Sequence, residues 1–267
     1  IEDSLNDAIQ TFAELELERD AARTAVDEFL SNGEQVSRDN TIDSKYDAVV
    51  IERTEGAENA KALFDQRIQD ELDRDLTYDT LVANQDTLID DINNTVYFED
   101  SDKTEYETLV NDRFTSEHNI KVSEVDNSIL AGLNDTGKDS AELTAERDAL
   151  YLEVNTYLAP DERAARIEAI DQKFTAIEDL QAAAAIAVDQ AILDGLNDPE
   201  TTLYADLVIE RDNLLIEVLV ADLSNTDKQL KLDEINAKFQ AAHQIQIDIV
   251  DQLIEDSLND AIQTFAE

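Results

Sequence analysis

The sequence predicts an all-α chain of tandem helical-hairpin or three-helix-bundle repeats that form an elongated rod or filament. Three observations carry this. Apolar residues recur every three or four positions over long stretches, which marks one face of a helix. Period-two alternation is absent, and five glycines among 267 residues are too few for the turns of a β protein. The chain also repeats itself on two scales, the mark of an array of like units.

The larger repeat is literal. Ile1–Glu14 reads IEDSLNDAIQTFAE, and Ile254–Glu267 reads the same, an offset of 253 residues. With no initiator Met at position 1, the chain reads as a window onto a longer array, slightly wider than one unit.

The smaller repeat has three marks in fixed order. The first is an Asp-Gln-x-Ile-like segment at Asp65–Arg74, Asp126–Asp135, Asp189–Asp198 and Asp251–Asp260. The second is Glu-Arg-Asp at 18–20, 146–148 and 210–212, with Asn84-Gln85-Asp86 in the remaining copy. The third is a base before an aromatic: Lys45-Tyr46, Arg113-Phe114, Lys173-Phe174 and Lys238-Phe239. They define subrepeats at 8–74, 75–135, 136–198 and 199–260, flanked by the end of a preceding repeat (1–7) and the start of the next unit (261–267). From the aromatic to the next Asp mark the separation is 19, 12, 15 or 12 residues. The differences are close to whole helical turns, so this segment reads as continuous helix.

Taken in order, the elements follow from these stripes. Ile1 to about Leu30 has no Gly or Pro and reads as one helix, stopped by Ser31-Asn32-Gly33, with Gly33 as its C-cap. In the third subrepeat, Leu143, Leu150, Val154 and Leu158 line a helix over about 140–158. Pro160 breaks it, and Asp161 and Glu162 suit the positive end of a second helix that runs to about Leu196. Ile167, Ile170, Phe174, Ile177, Val188 and Ile192 line that helix, and Asn197-Asp198-Pro199 ends it. In the fourth, Leu203, Leu207, Leu214, Val218 and Leu219 line the short helix and Ser224–Asp227 forms the turn. Leu232, Ile235, Phe239, Ala242, Ile249 and Leu253 line the long one. A short and a long helix cannot bury their stripes alone, so neighbours must stack or bundle. Stacked hairpins and linked three-helix bundles both satisfy this.

The Leu-Ala-Pro-Asp-Glu-Arg turn at 158–163 and the repeated Asp-Gln-x-Ile segments resemble the small helical-bundle repeats of giant cell-surface fibre and adhesin proteins, and more loosely spectrin-like rods. The resemblance covers the whole chain and implies a structural role outside a cell; it carries no binding residue with it.

Charge narrows the function classes. With 64 Asp+Glu against 20 Lys+Arg, the net charge is −44, which opposes contact with nucleic acid or an anionic membrane. No cysteine means no disulfide framework and no thiolate metal site. The small-apolar run Ala182–Val188 is too short to span a bilayer, and no signal peptide is expected at the start. Such self-repulsion suits saline surroundings, where the Debye length falls to about 3 Å at 1 M salt.

No cofactor is expected, with one possible exception: calcium on acidic clusters near helix ends. The candidates are Asp100, Asp102 and Glu105, beside Glu99, and Asp135 with Asp139; Asp73, Asp75 and Asp79 form a further cluster. None fits the EF-hand pattern, since Lys138 falls where an oxygen is needed. His118 and His243 share one repeat position, four residues after the aromatic, and read as polar helix positions. The recurring Arg19, Arg147 and Arg211, and the bases before each aromatic, read as ion pairs between packed helices. Two glycosylation sequons, Asn93-Asn94-Thr95 and Asn134-Asp135-Thr136, weakly favour an outside location. Carboxylates are everywhere and no nucleophile, phosphate loop or paired acid and base stands out, so no enzyme is expected. The expected function is a structural unit of an extracellular or cell-surface fibre, stalk or filament that associates with neighbouring units. The alternatives are an acidic adhesin or calcium-binding scaffold module that engages a cationic or mineral partner, and an intracellular scaffold of a halophile.

Overall fold

Eight helices alternate short and long in the structure, a computed structural model that describes the backbone of residues 10–266 and the side chains of residues 10–258. The short ones are α1 (Phe12–Phe29), α3 (Tyr78–Asn94), α5 (Ser140–Tyr157) and α7 (Tyr204–Val220). The long ones are α2 (Asn32–Glu71), α4 (Asp100–Ala131), α6 (Pro160–Asp194) and α8 (Asn225–Ala266). Among the described residues there is no strand, and the fold is an all-α helical bundle. Every segment from an aromatic mark to the next Asp mark is unbroken helix, as the whole-turn spacing predicts.

Local chemistry starts these helices. Thr11 Oγ1 accepts from the Glu14 amide at 3.2 Å, and the Glu14 carboxylate accepts from the Thr11 amide at 2.8 Å. Asp139 and Glu142 make the same reciprocal pair ahead of α5, both bonds 2.9 Å. At Ser31 the Glu34 carboxylate accepts from the hydroxyl at 2.6 Å and from the amide at 3.2 Å.

Two expectations are corrected here. The helix expected over Ile1–Leu30 is broken at Thr11, which is extended (φ −65, ψ 157) and caps α1; Ile1–Ile9 lie outside the described residues. Gly33 is not a C-cap. Leu30 ends α1 in extended backbone, Ser31 caps α2, and Gly33 lies within α2. The Ser31–Glu34 pair starts the new helix so promptly that no left-handed residue is needed. Left-handed backbone falls instead on Leu133 (φ 53) and Leu196 (φ 59), each just after a glycine. Gly132 and Gly195 serve close approach: a Cβ there would sit 3.0 Å from Leu150 Cδ1 and 2.8 Å from Leu214 Cδ1 respectively. The leucines accept the strained φ because their side chains are buried.

The chain divides into two compact units. One runs to Val125 and includes Thr156–Ala159; the other comprises Asp126–Asn155 and Pro160 onward. In the first unit, Leu15, Ala22 and Val26 of α1 pack with Ile42 and Val49 in the first half of α2. The second half of α2 gives Phe64 and Ile68 to a cluster with Leu81 and Leu88 of α3 and Tyr106 and Val110 of α4. In the second unit, Val188 and Ile192 of α6 meet Leu207 and Leu214 of α7 and Ile235 and Phe239 of α8. Neither α2 nor α6 breaks; one continuous helix buries two stripes in succession. A short helix therefore closes over the end of one long helix and the start of the next.

Candidate functional site

The marked residues converge on one construction. Where a long helix ends and a short helix begins, the following long helix grips the junction with a stripe at positions i, i+1 and i+8.

In the second unit the stripe of α6 is Lys173, Phe174 and Gln181. The Lys173 ammonium donates to the carbonyls of Ile129 (2.7 Å), Leu130 (2.8 Å) and Gly132 (2.6 Å) at the end of α4. Arg147 of α5 lies 4.6 Å over the Phe174 ring. Gln181 Nε2 donates to the carbonyls of Thr136 and Lys138 in the connecting loop, at 2.8 and 2.7 Å. On α8 the stripe is Lys238, Phe239 and Gln246. Lys238 donates to Ile192 O (2.6 Å) and Leu193 O (3.1 Å), Arg211 stacks on Phe239 at 4.6 Å, and Gln246 donates to Pro199 O (3.1 Å) and Thr202 O (2.7 Å).

The first unit carries a variant. Arg113 of α4 donates to Leu72 O at 3.3 Å, and Lys121, at i+8, lies 3.8 Å from Asp75 in the loop. Gln85 stands where the other copies have arginine and donates to Asn111 at 2.8 Å. On α2, Arg19 stacks on Tyr46 at 4.5 Å, and the i+8 position is Arg53, fully buried. Arg53 donates to the Glu99 carboxylate (2.6 and 3.2 Å) and to Val96 O (3.3 Å), while Glu99 also accepts from the Phe12 amide at 3.2 Å.

The expected ion pairs between helices are thus replaced by something else. Arg19, Arg147 and Arg211 pair with the next residue of their own helix, Asp20, Asp148 and Asp212, at 3.0, 3.1 and 2.6 Å. Their partner across the helix gap is an aromatic face. Arg113, Lys173 and Lys238 satisfy carbonyls that the helix ends leave open, where the negative end of the dipole favours a cation. Burial pushes the Lys173 pKa down, and the charge of Glu146 opposes that. The i+8 position, Arg53, Lys121, Gln181 and Gln246, escaped the sequence reading because residue type varies there. What is shared is reach and donors, visible in sequence only as a long polar residue seven after each aromatic.

The histidines sit beside this stripe. His118 stacks on Phe114 (6.1 Å) and lies 5.1 Å from Tyr78; His243 stacks on Phe239 (6.3 Å) and lies 4.6 Å from Tyr204. A cleft of about 440 Å³ opens beside His243, Gln246 and Val250.

The calcium candidates lie in two places. Asp100, Asp102 and Glu105 occupy the first turns of α4, and Asp135 and Asp139 the loop after it. Asp102 is bound to Lys61 at 2.6 Å and accepts from the Glu99 amide at 3.2 Å; that bond raises the Lys61 pKa. Asp135 accepts from the Gly137 amide at 2.9 Å, and Asp139 is engaged with Glu142 as described. Asp100 and Glu105 are exposed. Lys138 pairs with Glu146 at 2.9 Å. Among the described residues no three acidic or histidine side chains form a group able to hold a metal ion.

Comparison with protein-family models, curated proteins and solved structures gives no match.

Proposed function

We propose that the chain is a non-catalytic structural repeat unit of an extracellular or cell-surface fibre, stalk or filament. What carries the reading is the recurrence of one junction grip along the chain, together with the fourteen-residue identity at an offset of 253. A device re-used at successive junctions suits the addition of fixed increments of length. It does not suit a single reaction centre. A unit without the duplicated fourteen residues holds 60 acids and 20 bases, a charge of −40 repeated along the array. An extended object spreads that charge, and salt screens it. Among the described residues no helix is long and apolar enough to cross a membrane.

The test is scattering and electron microscopy on chains of one to four copies in series. Contour length should rise by a constant increment per copy. A radius of gyration that grows with the weak power of chain length typical of globules, about 0.38, overturns the reading.

A further inference from the structure

At the end of α8 the chain exposes a face that it buries everywhere else. Val250, Ile254 and Leu258 follow one another at helical spacing and are 53 %, 52 % and 59 % exposed. The repeat places them in register with Val188, Ile192 and Leu196 of the preceding copy, which are 2–4 % exposed. In the two copies before that, the matching residues are Val125, Ile129 and Leu133, and Phe64, Ile68 and Leu72, all 0–7 % exposed.

What covers the matching faces is known in each copy. Leu81 and Leu88 of α3 pack with Ile68 and Leu72. Leu150 of α5 lies against Gly132, beside Leu133. Leu207 and Leu214 of α7 pack with Ile192 and Leu196. The residue before each covering helix lies four before its first buried leucine, whose amide donates to that residue's carbonyl: Leu81 to Thr77, Leu143 to Asp139, Leu207 to Leu203 at 2.9–3.0 Å. Leu15 to Thr11 at 3.0 Å is the same arrangement in α1. Residues 254–267 repeat Ile1–Glu14, so the segment in register with the starts of α3, α5 and α7 carries the sequence that opens α1.

Size complementarity agrees. Gly132 and Gly195 make room for Leu150 and Leu214. The matching position in α8 is Ser257, and the matching position in α1 is Ala22. Ser257 and Ala22 are both small, so the pair fits without a clash, whereas the α2–α3 copy carries Glu71 and Leu88 at these positions.

We propose that Val250, Ile254 and Leu258 are the seat of the α1–α2 hairpin of a second copy of this chain, and that α8 ends near Asp256 when that copy docks. The same sequence is caught in two conformations: Thr11 is an extended cap, whereas Thr264 lies inside α8. α4 and α6 end at Ala131 and Asp194, the positions in register with Asp256. An eight-residue link from Ser257 to Thr264 then matches the link over 132–139. The inference rests on the repeat-array reading.

The experiment joins residue 253 of one copy to residue 1 of the next and compares this tandem with the 267-residue chain. The chain has no cysteine, so Ile254→Cys at the junction is a unique thiol. Its reaction with a thiol reagent should be at least tenfold slower in the tandem. Glu255→Cys should react equally in both, since the matching Leu193 and Leu130 are exposed. Hydrogen exchange on the unmutated tandem should show rapid exchange over 258–262 between two protected helices. Equal thiol rates at position 254, or protection running unbroken through the junction, overturn the proposal. A reading frame with a single copy would sink the array reading instead, a result that the labelling comparison does not depend on.

Discussion

Lys173→Met removes one ammonium and keeps most of the stem that covers the end of α4. Three carbonyls, of Ile129, Leu130 and Gly132, lose a donor at 2.6–2.8 Å. A hydrogen bond involving a charged group nets about 1.5–3 kcal/mol. The favourable placement of a cation at a helix C-terminus adds about 0.3–1 kcal/mol. Against this stand the shared charge, the desolvation that lowers the Lys173 pKa, and access of water to the exposed carbonyl of Leu130. The expected loss is about 2 kcal/mol, the magnitude of one strong charge-assisted bond rather than three. The assay is urea unfolding followed by circular dichroism, with hydrogen exchange over residues 128–150 to locate the loss. Lys103→Met removes the same charge from the first turn of α4 and serves as the control for net charge. A Lys173→Met change within about 0.5 kcal/mol of the parent is what an ordinary surface substitution gives, and it would refute the grip as a stabilising device.

Four further outcomes are expected. Arg53→Met strips a fully buried guanidinium from Glu99, and breaking such a pair should cost about 3 kcal/mol in chemical unfolding, well above Arg53→Lys. Arg211→Gln, which copies Gln85, should cost about 0.5–1 kcal/mol through loss of the stack on Phe239, measured the same way. Tyr106 is pushed up to about 12 by burial and its bond to Asp65. A raised folded pKa means that stability is fully present below the unfolded value near 10 and declines as pH rises towards about 12; Tyr106→Phe should flatten that part of the alkaline melting profile. Calcium, titrated by calorimetry at physiological salt, should give no saturable heat, because Asp102, Asp135 and Asp139 already serve lysine or backbone amides; a saturable site would favour the calcium-binding scaffold.

Acid should weaken α1 and α2 at their starts. The Glu14 and Glu34 pKa values are held down by hydrogen bonds from Thr11 and Ser31. A depressed folded pKa contributes stability above the unfolded value and loses it as pH falls through the folded one. Fraying of residues 11–15 and 31–35 at low pH, read by hydrogen exchange, checks this.

Much of the helical pattern is local and could be read from the chain. The stripes at Leu143, Leu150 and Val154, or at Leu207, Leu214 and Val218, specify amphipathic helices whatever they pack against. The whole-turn indels specify continuous long helices for the same reason. Breaks were harder. Thr11 caps the start of a helix in one place while the identical Thr264 lies inside one, because a cap competes with helix continuation and local sequence alone does not tip the balance. Glycine's freedom does not mark the left-handed positions here: Leu133 and Leu196 take that backbone, Gly132 and Gly195 take the close approach, and Gly33 lies within α2.

The marks themselves announced that Arg147, Lys173 and Phe174 belong to one construction, but not what they do. Charge alone suggested ion pairs. Only the tertiary structure places the Lys173 ammonium over three open carbonyls and Arg147 over an aromatic face, since both partners lie more than twenty residues away. The sequence by itself determined helix class, periodicity and the fourteen-residue recurrence, which depend on neighbours along the chain. The tertiary structure decided which helix end each base caps, which long polar residue reaches the loop, and which apolar stripe is covered. Those depend on where separate helices meet, and no periodicity encodes that.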